Sequence, residues 1–280
     1  MGLRIATNVS SIAAQKNLRK TSEDQGNTLQ KLASGTRIVR AADDSAGLAI
    51  SEKMKAKIRG TNQAKRNASD GVSMVQTAEG ALNEVSSILI RLRELSIQSA
   101  SDTVGEKERS FTDLEYQNLK QEIERISSTT EFNGKRLLAG GDATYDFQIG
   151  INNVPFEDRI SYEQAKSNAS LDSLFDGDAG SINVISKESA QASLEKLDKA
   201  IDNVSGQRAV MGSIQNRLGS TIRNLEVSAE NIAAANSRIR DTDYAQATAD
   251  NTRLNILANA GSAVLAQANA NGQSALRLIG

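Results

Sequence analysis

The chain has 280 residues and a formal net charge of -1, so it offers no basic field to nucleic acid or to an anionic membrane surface. It contains no Cys, His or Trp, which excludes disulfides, thiol or histidine catalysis and the usual zinc sites. Five Phe and four Tyr are few large rings for a thick core of this length, and the abundant Ala, Leu, Ile and Val point to thin helical seams.

The first twenty residues, MGLRIATNVSSIAAQKNLRK, show no apolar h-region and no cleavage site, so they do not read as a secretory signal. Ile5, Val9 and Ile12 make a narrow apolar stripe on a first helix. Residues 31–54, KLASGTRIVRAADDSAGLAISEKM, break that pattern. Gly35 is placed to close the helix in a left-handed conformation. Asp43 or Asp44 is placed to cap the next helix, its carboxylate accepting from amides left unpaired in the first turn. An acid–base carboxylate dyad would need a partner group and a pocket, and neither is visible in the sequence.

From Met54 the apolar residues step by three and four through Ile58, Ala68, Val72, Val75, Leu82, Val85, Leu89 and Leu92, which is the spacing of a coiled-coil seam. After a break at Ser101–Gly105 a shorter helix is expected on Phe111, Leu114, Leu119, Ile123 and Ile126. Phe132-Asn133-Gly134 is a turn signal. Residues 143–163 alternate apolar and polar around Asn152-Asn153 and predict a β-hairpin. Residues 164–186 are irregular, with a further short strand expected at Ile182–Ile185.

From Ser189 helix returns on Leu194, Leu197, Ile201, Val204, Met211, Ile214, Leu218, Leu225, Ile232 and Ile239. Gly206, Gly212 and Gly219 would each weaken an isolated helix by about 1 kcal/mol, so packing must hold it. After Asp241-Thr242-Asp243 a last seam runs through Tyr244, Ala247, Leu254, Leu257, Gly261, Val264 and Ala268. The fold class is mainly α: a long antiparallel coiled-coil-like helical rod with a small β-hairpin region in the middle of the chain. No uncharged apolar run reaches the length of a membrane span.

A hairpin of the first thirty and last forty residues has too little core to stand alone. Copies of the same chain could supply the missing partner, and a contact that does not close on itself builds a helical filament. A soluble helical bundle, or frayed ends of no consequence, is the alternative this pattern leaves open.

Several long stretches closely resemble bacterial flagellins. SSIAAQKNL, ADDSAGLAIS, VSMVQTAEGALNEVSSILIRLRELSIQSAS at 72–101 and EFNGKRLL at 131–138 are similar to the flagellin N-terminal region; AENIAAANSRIRDTDYA and VLAQANANGQSALRL are similar to its C-terminal region. The likeness covers about residues 1–140 and 188–280. It implies that residues 1–34 and 241–280 are paired terminal helices, disordered in the free monomer, that form the inner filament core. Their packing would use Ile5, Val9, Ile12, Leu29, Leu32, Leu254, Leu257, Gly261, Val264 and Ala268. It implies a spoke at 35–44, with Gly35, Asp43 and Asp44 structural, a helical rod domain at 45–140 and 188–240, and a small β-hairpin or irregular region at 141–187.

The implied function is that of a structural subunit of the swimming filament, without cofactor or enzymatic activity. The subunit is extracellular and leaves unfolded through the flagellar type III channel without a cleaved signal. The implied partners are further copies, an export chaperone, the filament cap protein and the hook–filament junction proteins; a junction protein of the same superfamily is the alternative. A flagellin-borne metalloprotease would need a His-Glu-X-X-His helix, which a chain without histidine cannot supply. Arg91, Leu95 and Glu115 match positions through which many flagellins engage Toll-like receptor 5, subunit packing being the other role open to them. Four features depart from the common pattern: Gln25-Gly26 where the first helix usually carries a leucine, Ile90 in place of a glutamine, Arg240 in place of an acid, and an LRLIG ending in place of a terminal arginine.

Overall fold

A computed structural model describes residues 7–277, so Ile5 lies outside the described residues. The elements in chain order are α1 (Val9–Ser34), α2 (Ser45–Ser99), α3 (Glu106–Thr129), β1 (Glu131–Phe132), β2 (Lys135–Arg136), β3 (Thr144–Gln148), α4 (Pro155–Asp158), β4 (Arg159–Glu163), α5 (Leu171–Leu174), α6 (Lys187–Arg240) and α7 (Tyr244–Arg277). They form two compact units: a terminal unit, Met1–Lys57 with Asn231–Gly280, and a central unit, Ile58–Glu230.

The central unit is built on the heptad seam. On α2 the buried residues recur by threes and fours through Ala68, Val75, Ala78, Leu82, Val85, Leu89 and Leu92, and α6 answers with Leu197, Ala200, Val204, Met211 and Leu218. Each fully buried Leu or Val contributes about 1.5–3 kcal/mol, so this line holds α6 together despite its glycines. The two helices run antiparallel in one unbroken register. Lys65 pairs with Glu226 at 3.0 Å and Arg93 with Asp198 at 2.6 Å, and the two pairs are 28 residues apart on both helices, four heptads. Exposed pairs of this kind are worth about 0–1 kcal/mol each, so they mark the register more than they stabilise it.

On α3 the structure bears out part of the expected face, with Ile123 buried and Leu119 and Ile126 half-buried against the core, and corrects its first turns. Phe111 and Leu114 stand 66% and 63% exposed, whereas Tyr116, Lys120, Ile123 and Ser127 are buried. Two of those buried groups are polar and satisfied by backbone: Lys120 Nζ donates to Ile182 O at 2.9 Å and Ser127 Oγ to Leu138 O at 2.9 Å. Tyr116 and Ile123 join the hydrophobic core, and a carbonyl meeting each polar side chain lets Lys120 and Ser127 share their stripe.

Asn133 and Gly134, at φ 50 and 74, give the two left-handed residues that a tight hairpin between β1 and β2 requires. β3 and β4 form the second hairpin, antiparallel from Thr144↔Glu163 to Gln148↔Arg159. Its connection is longer than an Asn-Asn turn. Pro155 opens α4, and the buried Asp158 carboxylate accepts from the amides of Asn152 (3.4 Å) and Val154 (2.9 Å). A Cβ at Gly150 would lie 1.7 Å from Asp158 Oδ1, so only glycine allows that carboxylate to turn inward. The strand expected at Ile182–Ile185 does not form. Ile182 and Val184 are buried without a ladder, and the Val184 amide donates instead to Asp113 Oδ1 at 3.0 Å.

Candidate self-association surface

In the terminal unit α1 and α7 pack antiparallel, Asn8 Nδ2 donating to Ala268 O at 2.9 Å and Gln25 Nε2 to Asn255 Oδ1 at 2.6 Å. The α1 seam follows threes and fours through Ser11, Ala14, Leu18, Thr21, Gln25, Thr28 and Leu32, all buried or half-buried. The α7 seam is Ala247, Leu254, Ala258, Gly261, Leu265 and Ala268. Most of these residues are small, which lets the backbones approach closely: a Cβ on Gly261 would sit 3.3 Å from Leu18 Cδ1. Gln25 takes a seam position in an unbroken α1 and packs on a polar neighbour, Asn255, to which it is bonded.

Other large aliphatics point away from the seam. Val9, Ile12, Leu29, Leu257 and Val264, all expected as packing residues, are 48–61% exposed, and Ile256 is 64% exposed. Leu254 and Ala268 are nearly buried, and Leu32 and Gly261 half-buried, in the hairpin's own seam. The hairpin therefore packs on itself through small and polar residues interleaved with Leu18, Leu32, Leu254 and Leu265, and presents its remaining large hydrophobes outward. Strict 3–4 spacing of Ser11, Ala14, Leu18 and Thr21 carried the signal for the seam, but a search for apolar residues passes over it.

Residues 35–44 join α1 to α2. Gly35 is left-handed at φ 69, and its amide donates to Lys31 O at 2.9 Å, closing α1. The Asp pair divides its work. Asp44 Oδ1 accepts from the Gly47 amide at 2.7 Å and caps α2. Asp43 does not cap the helix; its Oδ2 accepts from the amides of Arg40 (2.9 Å) and Val39 (3.0 Å) within the spoke. Those amides, Arg40 first and then Val39, hold the Asp43 carboxyl below its ordinary value.

The spoke is laced to the break between α6 and α7. Arg37 N donates to Arg240 O at 2.6 Å and Thr242 N to Gly35 O at 3.0 Å, around an isolated bridge of Thr36 with Asp241. The Arg37 guanidinium donates to Ile239 O at 2.6 Å, placing a cation at the C-terminal end of α6. Tyr244 Oη donates to Leu32 O at 2.9 Å. Arg240 bonds Ser51 Oγ at 3.2 Å and pairs with Glu52, which gives the unusual base a partner of its own.

Two family descriptions match this chain: the bacterial flagellin N-terminal helical region over residues 5–143 and the bacterial flagellin C-terminal helical region over 194–279. The chain belongs to the bacterial flagellin family. It is 43% identical to a flagellin of Halalkalibacterium halodurans over 97% of this chain and 98% of that one. It is 41% identical to the flagellar filament 33 kDa core protein of Treponema phagedenis, again over 97% and 98% of the two chains. The crystal structure of Bacillus cereus flagellin superposes with a TM-score of 0.50 at 31% identity, covering 61% of this chain and 94% of that one. The chain is a subunit of the flagellar filament, a structural protein by family. Among the described residues no helix is long and apolar enough to cross a membrane.

The flagellin positions singled out on α2 and α3 separate in the structure. Arg91 is half-exposed and pairs with Glu94 and Glu115, each at 3.0 Å. Those hydrogen bonds, Glu94 first and then Glu115, raise the guanidinium above its ordinary value. Leu95 is 2% exposed in the central core, so it cannot face a partner as expected; it faces the packed interior.

Proposed function

We propose that the α1/α7 hairpin is the element through which filament subunits hold one another. In this reading residues 1–34 and 241–280 form the inner core, 35–44 the spoke, 45–140 and 188–240 the surrounding helical layer, and 141–187 a small outer region. One observation carries it: the hairpin buries Ser11, Ala14, Ala247, Leu254 and Ala268 but leaves Val9, Ile12, Leu29, Ile256, Leu257 and Val264 exposed. Covering six half-exposed aliphatics contributes on the order of 5–9 kcal/mol per subunit before ordering costs are subtracted. That is enough to make a hairpin without a private core stable only in company.

The flagellin family works outside the cell, and we propose that this chain leaves through the flagellar export channel with an export chaperone. It then adds beneath the filament cap protein, beyond the hook–filament junction proteins. Arg91 and Glu115, on the surface, are the proposed contacts for Toll-like receptor 5; Leu95 would act only by supporting them. The experiment is seeded polymerisation of purified chain against a form lacking 1–30 and 250–280, read by electron microscopy. Long filaments from the full chain alone support the reading. Equal elongation by the truncated form refutes it.

A further inference from the structure

The two sides of the terminal hairpin differ in shape. On one side α1 and α7 leave an open notch of about 250 Å³, lined by Ala14, Leu18, Leu257, Ala260, Gly261 and Val264 with two uncharged polar residues. Gly261 creates it, since a side chain there would fill the space against Leu18. No lining residue is charged, although the exposed surface of α1 carries Lys16, Arg19, Lys20, Glu23 and Asp24. The notch is thus shaped for an uncharged aliphatic group.

The other side carries such groups. Leu257 and Val264, on the notch side, each precede a seam residue (Ala258, Leu265), whereas Ile12 and Leu29 each follow one (Ser11, Thr28). In an antiparallel heptad pair, residues preceding the seam share one side and residues following it share the other. The hydrogen bonds agree: Asn255 and Asn269, which follow Leu254 and Ala268, bond Gln25 and Ser11 on the Ile12 side. Ile12 is 57% and Leu29 48% exposed there.

We infer that the notch receives Ile12 or Leu29 from the opposite side of a second copy's hairpin. The inference rests on the filament reading and adds which face meets which. A front-to-back contact never uses up both of its faces, so each docked copy offers a fresh notch or a fresh knob and the assembly keeps growing. Notch-to-notch packing would close into a dimer and leave Ile12 and Leu29 in water.

The natural chain has no cysteine, which makes the test clean. Subunits carrying Ala260→Cys are mixed with subunits carrying Ile12→Cys or Leu29→Cys, each variant first shown to extend seeds. The mixed filaments are oxidised and run on a non-reducing gel. A disulfide-linked dimer is expected from one of the two mixtures and not from unassembled chains. Filaments without a link in either mixture, or links from Ala260→Cys alone, overturn the inference while leaving the filament reading intact. Ala260→Leu, which fills the notch, is expected to raise the critical concentration for elongation at least tenfold; an unchanged value overturns it too. If the unsubstituted chain does not extend seeds, the filament reading itself fails, and this inference with it.

Discussion

Replacing Gly47 by alanine reverses the usual rule for helices. Gly→Ala inside a helix normally stabilises by about 1 kcal/mol through backbone entropy. At Gly47 the new Cβ would lie 2.3 Å from Asp44 Oδ2 and 2.9 Å from Ile38 Cδ1. Asp44 must swing away and release the cap on the Gly47 amide, a loss of about 1 kcal/mol. Ile38, 1% exposed, must leave its rotamer or its site, at about 1 kcal/mol more. The net is a loss of about 1 kcal/mol. Gly26, in the same unit and with no atom within 4 Å of its added Cβ, is the control and should gain about 1 kcal/mol. Amide hydrogen exchange in assembled filaments, read by mass spectrometry, separates them. Exchange over residues 45–55 should quicken about fivefold in Gly47→Ala, while α1 should slow in Gly26→Ala. Slowed exchange at Gly47→Ala would show that the spoke is not packed as described, and would refute the reasoning.

Other outcomes follow from the central unit and the spoke. Leu89→Ala, at a fully buried seam position, should cost about 3–4 kcal/mol in urea unfolding of the purified chain. Tyr116→Phe should be neutral or stabilising by about 1 kcal/mol in the same assay, because the buried hydroxyl has no partner of its own. Ser96 and Ser193 lie beside it, but their hydroxyls donate to Leu92 O and Ser189 O. Burial pushes Tyr116 from 10.0 up to about 12, so the unfolded chain releases that proton first. Stability from Tyr116 is therefore complete below pH 10 and falls between pH 10 and 12, and Tyr116→Phe should flatten that part of the pH profile. Asp43, lowered from 3.8, behaves in the opposite sense: its contribution is complete above that value and lost as pH falls through the lower folded one. NMR should find the Val39 and Arg40 amides still protected at pH 4 in filaments and unprotected in Asp43→Ala, which removes the acceptor.

Much of the architecture was legible because it depends on local chemistry. Heptad spacing on α2 and α6 named the central seam, Asn133-Gly134 named a hairpin turn, and Gly35 named the end of α1. Each rests on a residue's own backbone freedom or on a periodicity strong enough to survive averaging. Lys120, Ser127 and Asp158 could not be read as interior residues. Their burial depends on where the chain folds a carbonyl or amide against them, from Ile182 for Lys120, from Leu138 for Ser127 and from the hairpin's own connection for Asp158, which no hydrophobic pattern announces.

The terminal helices show the division most clearly. The sequence showed apolar 3–4 spacing near both ends, excluded histidine and cysteine chemistry, and resembled flagellins at both ends, which implied paired helices at 1–34 and 241–280. It assigned Val9, Ile12, Leu29, Leu257 and Val264 to packing, and only the tertiary structure decided that they do not pack within the hairpin. The physical reason is register: the 3–4 repeat through Ser11, Ala14, Leu18, Ala258, Gly261 and Leu265 fills the seam, and Val9, Ile12, Leu29, Leu257 and Val264 fall between its positions, so their side chains stay outside the contact.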